Sequence, residues 1–213
     1  MRARHKPWAE DYLKENDDVV KLGAAEYKGK WQEEITDEKP LHVEIGTGKG
    51  QFIRGMAAQY PEVHFVGIEV VKSIIVSAVE KVKEAGSPNV TLINENAEDL
   101  LDIFEENEVD QIYLNFSDPW PKNRHEKRRL TYEAFLARYK HILKPDGELV
   151  LKTDNRGLFE YSVVSFSQFG CTVEEINVDL HAAEDPTNVM TEYEEKFSAK
   201  GQPIYRCRVT FPQ

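Results

Sequence analysis

Two carboxylates and a run of cations are the residues most able to do chemistry. Asp118 lies in Ser117-Asp118-Pro119-Trp120-Pro121-Lys122, directly after a strand-like stretch from Val109 to Phe116. Glu44 lies in Leu41-His42-Val43-Glu44-Ile45, directly before Gly46-Thr47-Gly48-Lys49-Gly50. A carboxylate at a strand tip can stabilise positive charge on a ligand, and a glycine turn lets backbone approach that ligand closely. The prolines flanking Trp120 fix their own φ and bias their neighbours towards extended backbone, so acid, aromatic and lysine are held together. A purely structural Asp-Pro turn is the alternative. It is less attractive because Arg124, His125, Lys127, Arg128 and Arg129 follow at once, against Glu126 alone.

The glycine turn restricts the ligand. A phosphate loop would need Gly where Val43 stands and a Ser or Thr after Lys49, where Gly50 stands. A dinucleotide fingerprint would need Gly in place of Gln51, and Glu44 would repel its pyrophosphate. A ligand carrying positive charge would welcome Glu44, and S-adenosylmethionine, with sulfonium and ammonium groups, is such a ligand. Glu69 follows the turn by about 20 residues, the spacing at which an acid at the second strand's tip meets ribose hydroxyls. Asn96 has an amide able to pair with an adenine edge or to cap the helix after it, and the two roles can coexist.

These groups need an alternating frame to hold them. Leu41–Ile45 reads as a buried strand, and Phe52, Ile53, Met56, Ala57 and Tyr60 as a helix stopped by Pro61. Strands at 63–68, 90–93, 109–116 and 148–152 alternate with helical spacing around 74–82, 100–104, 131–143 and 161–169, and 171–178 and 204–211 read as two late strands. In such open sheets ligands bind beyond the carboxyl ends of strands, which brings Asp118 into the crevice of Gly46 and Glu69. Asp154 stands past the 148–152 strand, after a turn at Lys144-Pro145-Asp146-Gly147. The polar stretch between the last strands, with Thr191-Glu192-Tyr193-Glu194, is where substrate selection could sit. Residues 1–40 show no clear periodicity and predict a partly ordered extension, with Arg2, Arg4 and Lys6 as a solvated tail or a second phosphate contact.

Composition bounds the rest. A chain of 213 residues, 40% hydrophobic and 31% charged, fits one soluble α/β domain. No apolar run has transmembrane length and the start lacks a secretory signal, so the expectation is a cytoplasmic protein without a membrane partner. Cys171, Cys207 and six scattered histidines follow no metal spacing, so no metal is assigned. A net charge of −11 argues against binding nucleic acid, DNA included, over the whole surface, but it leaves room for the local basic run.

The order of elements resembles class I methyltransferases. Asn-Phe-Ser-Asp-Pro-Trp-Pro-Lys-Asn-Arg-His-Glu-Lys-Arg-Arg at 115–129, with Glu-Ile-Gly-Thr-Gly-Lys-Gly before it and Thr-Glu-Tyr-Glu-Glu-Lys-Phe after it, resembles the bacterial tRNA (guanine-N7-)-methyltransferases from about Val43 to the end. Ser117 departs from that pattern, where many relatives place a proline. The resemblance implies a single Rossmann-like domain over residues 41–213, with a mostly parallel seven-stranded sheet, helices on both faces and an antiparallel last strand. It implies that Glu44, Gly46, Thr47, Gly48, Gly50, Glu69, Asn96, Ala97 and Asp118 line the S-adenosylmethionine site, with Asp118 catalytic. It also implies that Lys122, Asp154, Thr191, Glu192, Tyr193 and Glu194 contact the target guanine, in the variable loop of tRNA, and that Arg124, His125, Lys127, Arg128 and Arg129 meet the RNA. The protein could act as monomer or homodimer.

The chemistry suits those roles. Guanine N7 carries a free lone pair, so its methylation needs no strong general base. Positive charge moves from the sulfonium to the purine, and a fixed carboxylate such as Asp118 favours that transfer. Guanine's N1–H and N2–H₂ suit acceptors such as Asp154 and Glu194, Lys122 could donate to O6, and Trp120 or Tyr193 could stack on the base or simply pack their loops. Three other readings compete: a methyltransferase for another substrate, a tRNA-binding protein without activity and, weakest, an NAD-dependent oxidoreductase.

Overall fold

A computed structural model of the chain describes residues 6–35 and 39–213. Arg2 and Arg4 lie outside the described residues. Helix α1 (Ala9–Lys14), strand β1 (Val20–Lys21) and helix α2 (Trp31–Glu34) precede β2 (Leu41–Ile45), α3 (Gln51–Gln59), β3 (His64–Ile68), α4 (Lys72–Ala85) and β4 (Val90–Ile93). Then come α5 (Leu100–Ile103), β5 (Val109–Asn115), α6 (Glu133–Ile142), β6 (Leu143–Thr153), α7 (Arg156–Phe169), β7 (Thr172–Asn177), α8 (Glu192–Ser198) and β8 (Tyr205–Thr210).

The strands form one sheet in the order β1-β4-β3-β2-β5-β6-β8-β7. All pairings are parallel except those of β8, which runs antiparallel to both β6 and β7. The sheet therefore has eight strands rather than the expected seven. The extra strand is β1, too short for any period to reveal, and it pairs Val20 with Leu92. Residues 6–35, expected as a partly ordered extension, carry buried Ala9, Leu13, Val20, Ala24 and Trp31, and the Trp31 indole donates to the Ile103 carbonyl at 2.9 Å. The turn expected at 144–147 is instead a bulge within β6, where pairing steps from Val109–Leu143 to Gln111–Glu148.

Alternation along the strands separates two faces. Val43, Ile45, Ile112, Leu114, Leu149 and Leu151 pack on one side with Phe135, Tyr139 and Phe166 of α6 and α7. On the other side α1, α3 and α4 cover β3 and β4 through Leu13, Ile53, Ile75, Val79 and Leu92. Beyond α3 that second face carries ion pairs instead of a helix: Arg206 pairs with Glu175 and Asp185, and Arg208 with Glu148. Among the described residues no helix is long and apolar enough to cross a membrane. The carboxyl ends of β2, β3, β4, β5 and β6 open towards one side of the sheet, as parallel strands must.

Candidate active site

The turn after β2 is built from backbone. Gly46, Gly48 and Gly50 have φ of 80°, 59° and 82°, values that side chains adopt only with strain. The Gly46 and Thr47 amides both donate to the Ile68 carbonyl, at 2.8 and 2.9 Å, locking the turn to the tip of β3. A Cβ on Gly50 would lie 2.8 Å from Ala78 Cβ, so α4 packs where only glycine fits. A Cβ on Gly46 would meet nothing within 4 Å, because that residue faces a cavity of about 630 Å³.

This cavity brings together Gly46, Glu69, Asn96, Ala97 and Asp118, along with Phe116, Ser117, Trp120 and Arg128. Glu69 is buried; its carboxylate accepts from the Gly48 amide at 3.1 Å and the Val71 amide at 2.9 Å. Burial raises its pKa against those hydrogen bonds, and the nearby charge of Asp118 adds to the rise. Asn96 accepts from the Glu98 amide at 3.1 Å, so the capping role exists, and its amide nitrogen is not used by that cap. The Ser117 hydroxyl is buried without a hydrogen-bond partner. An open cradle at Gly46, an orphaned hydroxyl and an acidic lining fit a polar, positively charged nucleoside such as S-adenosylmethionine.

Glu44 lies beneath the turn rather than in this lining. It is 2% exposed, and its carboxylate accepts from Thr47 Oγ1 at 2.6 Å and Asn115 Nδ2 at 2.9 Å. Burial pushes its pKa up to about 7, with the Thr47 and Asn115 bonds opposing. The reading that its charge faces the ligand directly is thus corrected: the side chain ties Thr47 of the turn to Asn115 at the end of β5.

Asp118 is exposed at the cavity's rim. Phe116 and Trp120, two residues to either side, have φ of 51° and 40°, a left-handed backbone that non-glycine residues hold only when neighbours enforce it. The enforcing contacts are visible. The Phe116 amide donates to the Lys152 carbonyl at 2.8 Å. The Trp120 carbonyl accepts from Arg129 Nε and Nη2 at 3.2 and 3.0 Å, and the Trp120 ring lies under the Arg128 guanidinium and against His125. All described peptide bonds, Trp120–Pro121 included, are trans.

The basic run forms a 3₁₀ turn, Asn123–Arg128. Lys122, Arg124, Lys127 and Arg128 are exposed. Arg129, expected at the RNA, is 9% exposed and stacks 4.2 Å over Tyr161 while holding Trp120. Its geometry is that of a loop anchor.

The Thr191–Glu194 segment is the start of α8, a helix that sequence periodicity did not reveal within a polar stretch. Thr191 caps it, accepting from the Glu194 amide at 2.9 Å, and Glu192 pairs with Lys81 of α4. Glu194 is fully buried against Lys152, Asn188 and His181, so its carboxylate is not open to a base as expected. Burial lowers the Lys152 pKa, and Glu194 opposes that shift. Tyr193 alone projects outward, 44% exposed, with its ring 5.2 Å from Phe116 and 4.2 Å from Phe197. Burial and then the charges of Asp154 and Asp118 raise its pKa. Sequence reasoning missed Asn115, Lys152 and Asn188, whose roles depend on partners far along the chain.

Residues 38–207 match a family described as "Putative methyltransferase". The chain is 64% identical over 211 residues to the tRNA (guanine-N(7)-)-methyltransferase of Oceanobacillus iheyensis, covering 99% of each chain. It is 57% identical over 209 residues to that of Bacillus velezensis, covering 98% of this chain and 96% of the relative. Among solved structures, an antibiotic-related methyltransferase superposes with TM-score 0.65 at 20% identity, covering 90% of this chain and 95% of that one, a likeness of fold.

Proposed function

The chain belongs to the bacterial tRNA (guanine-N7-)-methyltransferase family, and on that premise we propose how its own residues carry out the reaction. The enzyme methylates N7 of a guanine in tRNA, with S-adenosylmethionine as methyl donor. The observation that carries the site assignment is that one cavity is lined by Gly46, Glu69 and Asp118 and, on its rim, by Trp120 and Arg128 of the basic loop. Cofactor groups and RNA-facing groups thus share a single wall.

When bound, S-adenosylmethionine supplies a methyl group on a sulfonium: the carbon–sulfur bond breaks, a carbon–N7 bond forms, and the positive charge passes to the purine. Glu69 offers the acceptor for ribose hydroxyls that its backbone bonds leave in place, and Asn96 and Ala97 border the adenine. Gly46 admits the ligand's approach, while Glu44, through Thr47 and Asn115, keeps the turn in register with β5. Asp118 stabilises the charge arriving on the purine without taking a proton, because N7 has none to lose.

On the substrate side, Asp154 accepts from the guanine's Watson–Crick donors, Lys122 donates to O6 and Tyr193 stacks on the extruded base. Adenine, lacking the N2 donor, would leave a carboxylate unpaired at a cost of about 1–3 kcal/mol. Arg124, Lys127 and Arg128, all exposed, neutralise tRNA phosphates. The target guanine lies in the variable loop.

Purified protein incubated with labelled S-adenosylmethionine and unmodified tRNA should yield 7-methylguanosine on nucleoside mass spectrometry, and replacing the variable-loop guanine should abolish it. Methylation persisting at another position would contradict the variable-loop assignment. A ligand-bound protein that yields no methylated nucleoside would contradict the tRNA reading itself.

A further inference from the structure

Two groups grip residues 188–194 from opposite sides. Lys152 of β6 is 3% exposed, and its ammonium is 2.8 Å from the Val189 carbonyl, 3.0 Å from Asn188 Oδ1 and 2.5 Å from Glu194 Oε2. Two hydrogen bonds and an ion pair thus surround the ammonium, the kind of pairing that lets a buried charge persist. Glu194 is completed by Asn188 Nδ2 at 2.8 Å and His181 Nε2 at 3.1 Å. From the other side Gly55 of α3 receives Val189: a Cβ there would lie 2.5 Å from Val189 Cγ1.

An apolar pair of similar volume would hold the segment with less desolvation. What the charged cluster adds is direction, since it fixes the Val189 carbonyl and the Glu194 carboxylate at once. Tyr193 is the residue before Glu194, and Asp154 lies two residues beyond Lys152, just past the end of the strand. Gripping this segment therefore sets the aromatic face and the acceptor relative to each other.

We propose that Lys152 and Gly55 are positioning residues for the target base: they fix residues 188–194 so that Tyr193 stays packed on Phe116, two residues before Asp118, and neither touches the base. This rests on the base-binding role given above to Tyr193 and Asp154. Residues on one strand, one helix and one connection act here as a single clamp, and the cofactor cavity lies outside it.

Steady-state kinetics with tRNA tests the clamp. Gly55→Ala should raise KM for tRNA roughly ten- to hundredfold by shifting the segment about an ångström, while the dissociation constant for S-adenosylmethionine stays within about twofold. Alanine is the better helix former, so a weakened α3 would not account for such a rise. Gly55→Ala/Val189→Ala, which removes the clashing methyl, should bring KM most of the way back. Lys152→Met should raise KM in the protein that folds, whereas simple loss of folded protein would lower kcat alone. Should Lys152→Met fail to fold, the Gly55 and Val189 pair decides by itself. An unchanged KM in Gly55→Ala, or a rise that Val189→Ala does not relieve, overturns the clamp. If the wild-type enzyme methylates tRNA but KM ignores these changes, only this inference falls; if it methylates no tRNA, the functional reading falls with it.

Discussion

The two sides of Asp118 are built on different principles. On the side proposed for the cofactor, position comes from backbone: glycines in left-handed conformation, amides donating to the Ile68 carbonyl, and Glu69 held by two amides. On the side proposed for the guanine, position comes from side-chain charge: Lys152 and Glu194 buried against each other, and Glu192 paired with Lys81. A backbone-built site tolerates changes of charge but not of volume. A charge-built site tolerates modest changes of volume but not the loss of one partner, which leaves the other uncompensated.

The sharpest test of this contrast is the basic loop, where neighbouring arginines have opposite fates. Replacing Arg124, Lys127 and Arg128 together by Gln should weaken tRNA binding about a hundredfold near 0.1 M salt and lower the slope of log K against log salt by about 2. Arg129→Gln should leave that slope nearly unchanged and instead lower thermal stability, because its guanidinium holds the Trp120 carbonyl and stacks on Tyr161. Equal slopes for both variants, read from filter binding across salt, would break the distinction.

Next in size is the glycine turn. Gly50→Ala should cost about 3 kcal/mol of stability, combining overpacking against Ala78 with left-handed strain. Gly46→Ala meets nothing and should cost only about 1 kcal/mol, while weakening S-adenosylmethionine binding because the methyl enters the cavity. Chemical denaturation and calorimetric titration separate the two effects, and equal stabilities would contradict the packing argument.

Glu44 gives a comparable effect that depends on pH. Its folded pKa of about 7 exceeds the ordinary 4.5, so the folded state holds the proton more tightly. That contribution is fully present below about pH 4.5 and is lost as pH rises through about 7. At 1.36 kcal/mol per unit the shift is worth at most about 3 kcal/mol. Wild-type stability should therefore fall by about 2–3 kcal/mol relative to Glu44→Gln between pH 5 and pH 8. Parallel stability profiles for the two proteins would show that this buried carboxyl is ionised throughout.

Legibility followed the same division. The strands, the glycine turn and the placing of Glu69 and Asp118 on one cavity were readable because period, turn chemistry and the strand-tip rule act over a few residues. Seven strands were expected, and β1 escaped because two residues display no alternation. Glu44 could be located but not oriented, since its partner Asn115 is 71 residues away. Glu194 and Arg129 were read as surface contacts because their residue types usually are. Only the fold brings Lys152 to the one and Trp120 to the other.

The two sides meet at Asp118, proposed to stabilise the purine's incoming charge while doing little for RNA affinity. Single-turnover transfer by Asp118→Ala, with tRNA binding measured on the same preparation, tests it most directly. Transfer should fall on the order of 10²- to 10³-fold or more while tRNA affinity stays within a fewfold of wild type. Transfer at near the wild-type rate would contradict the account.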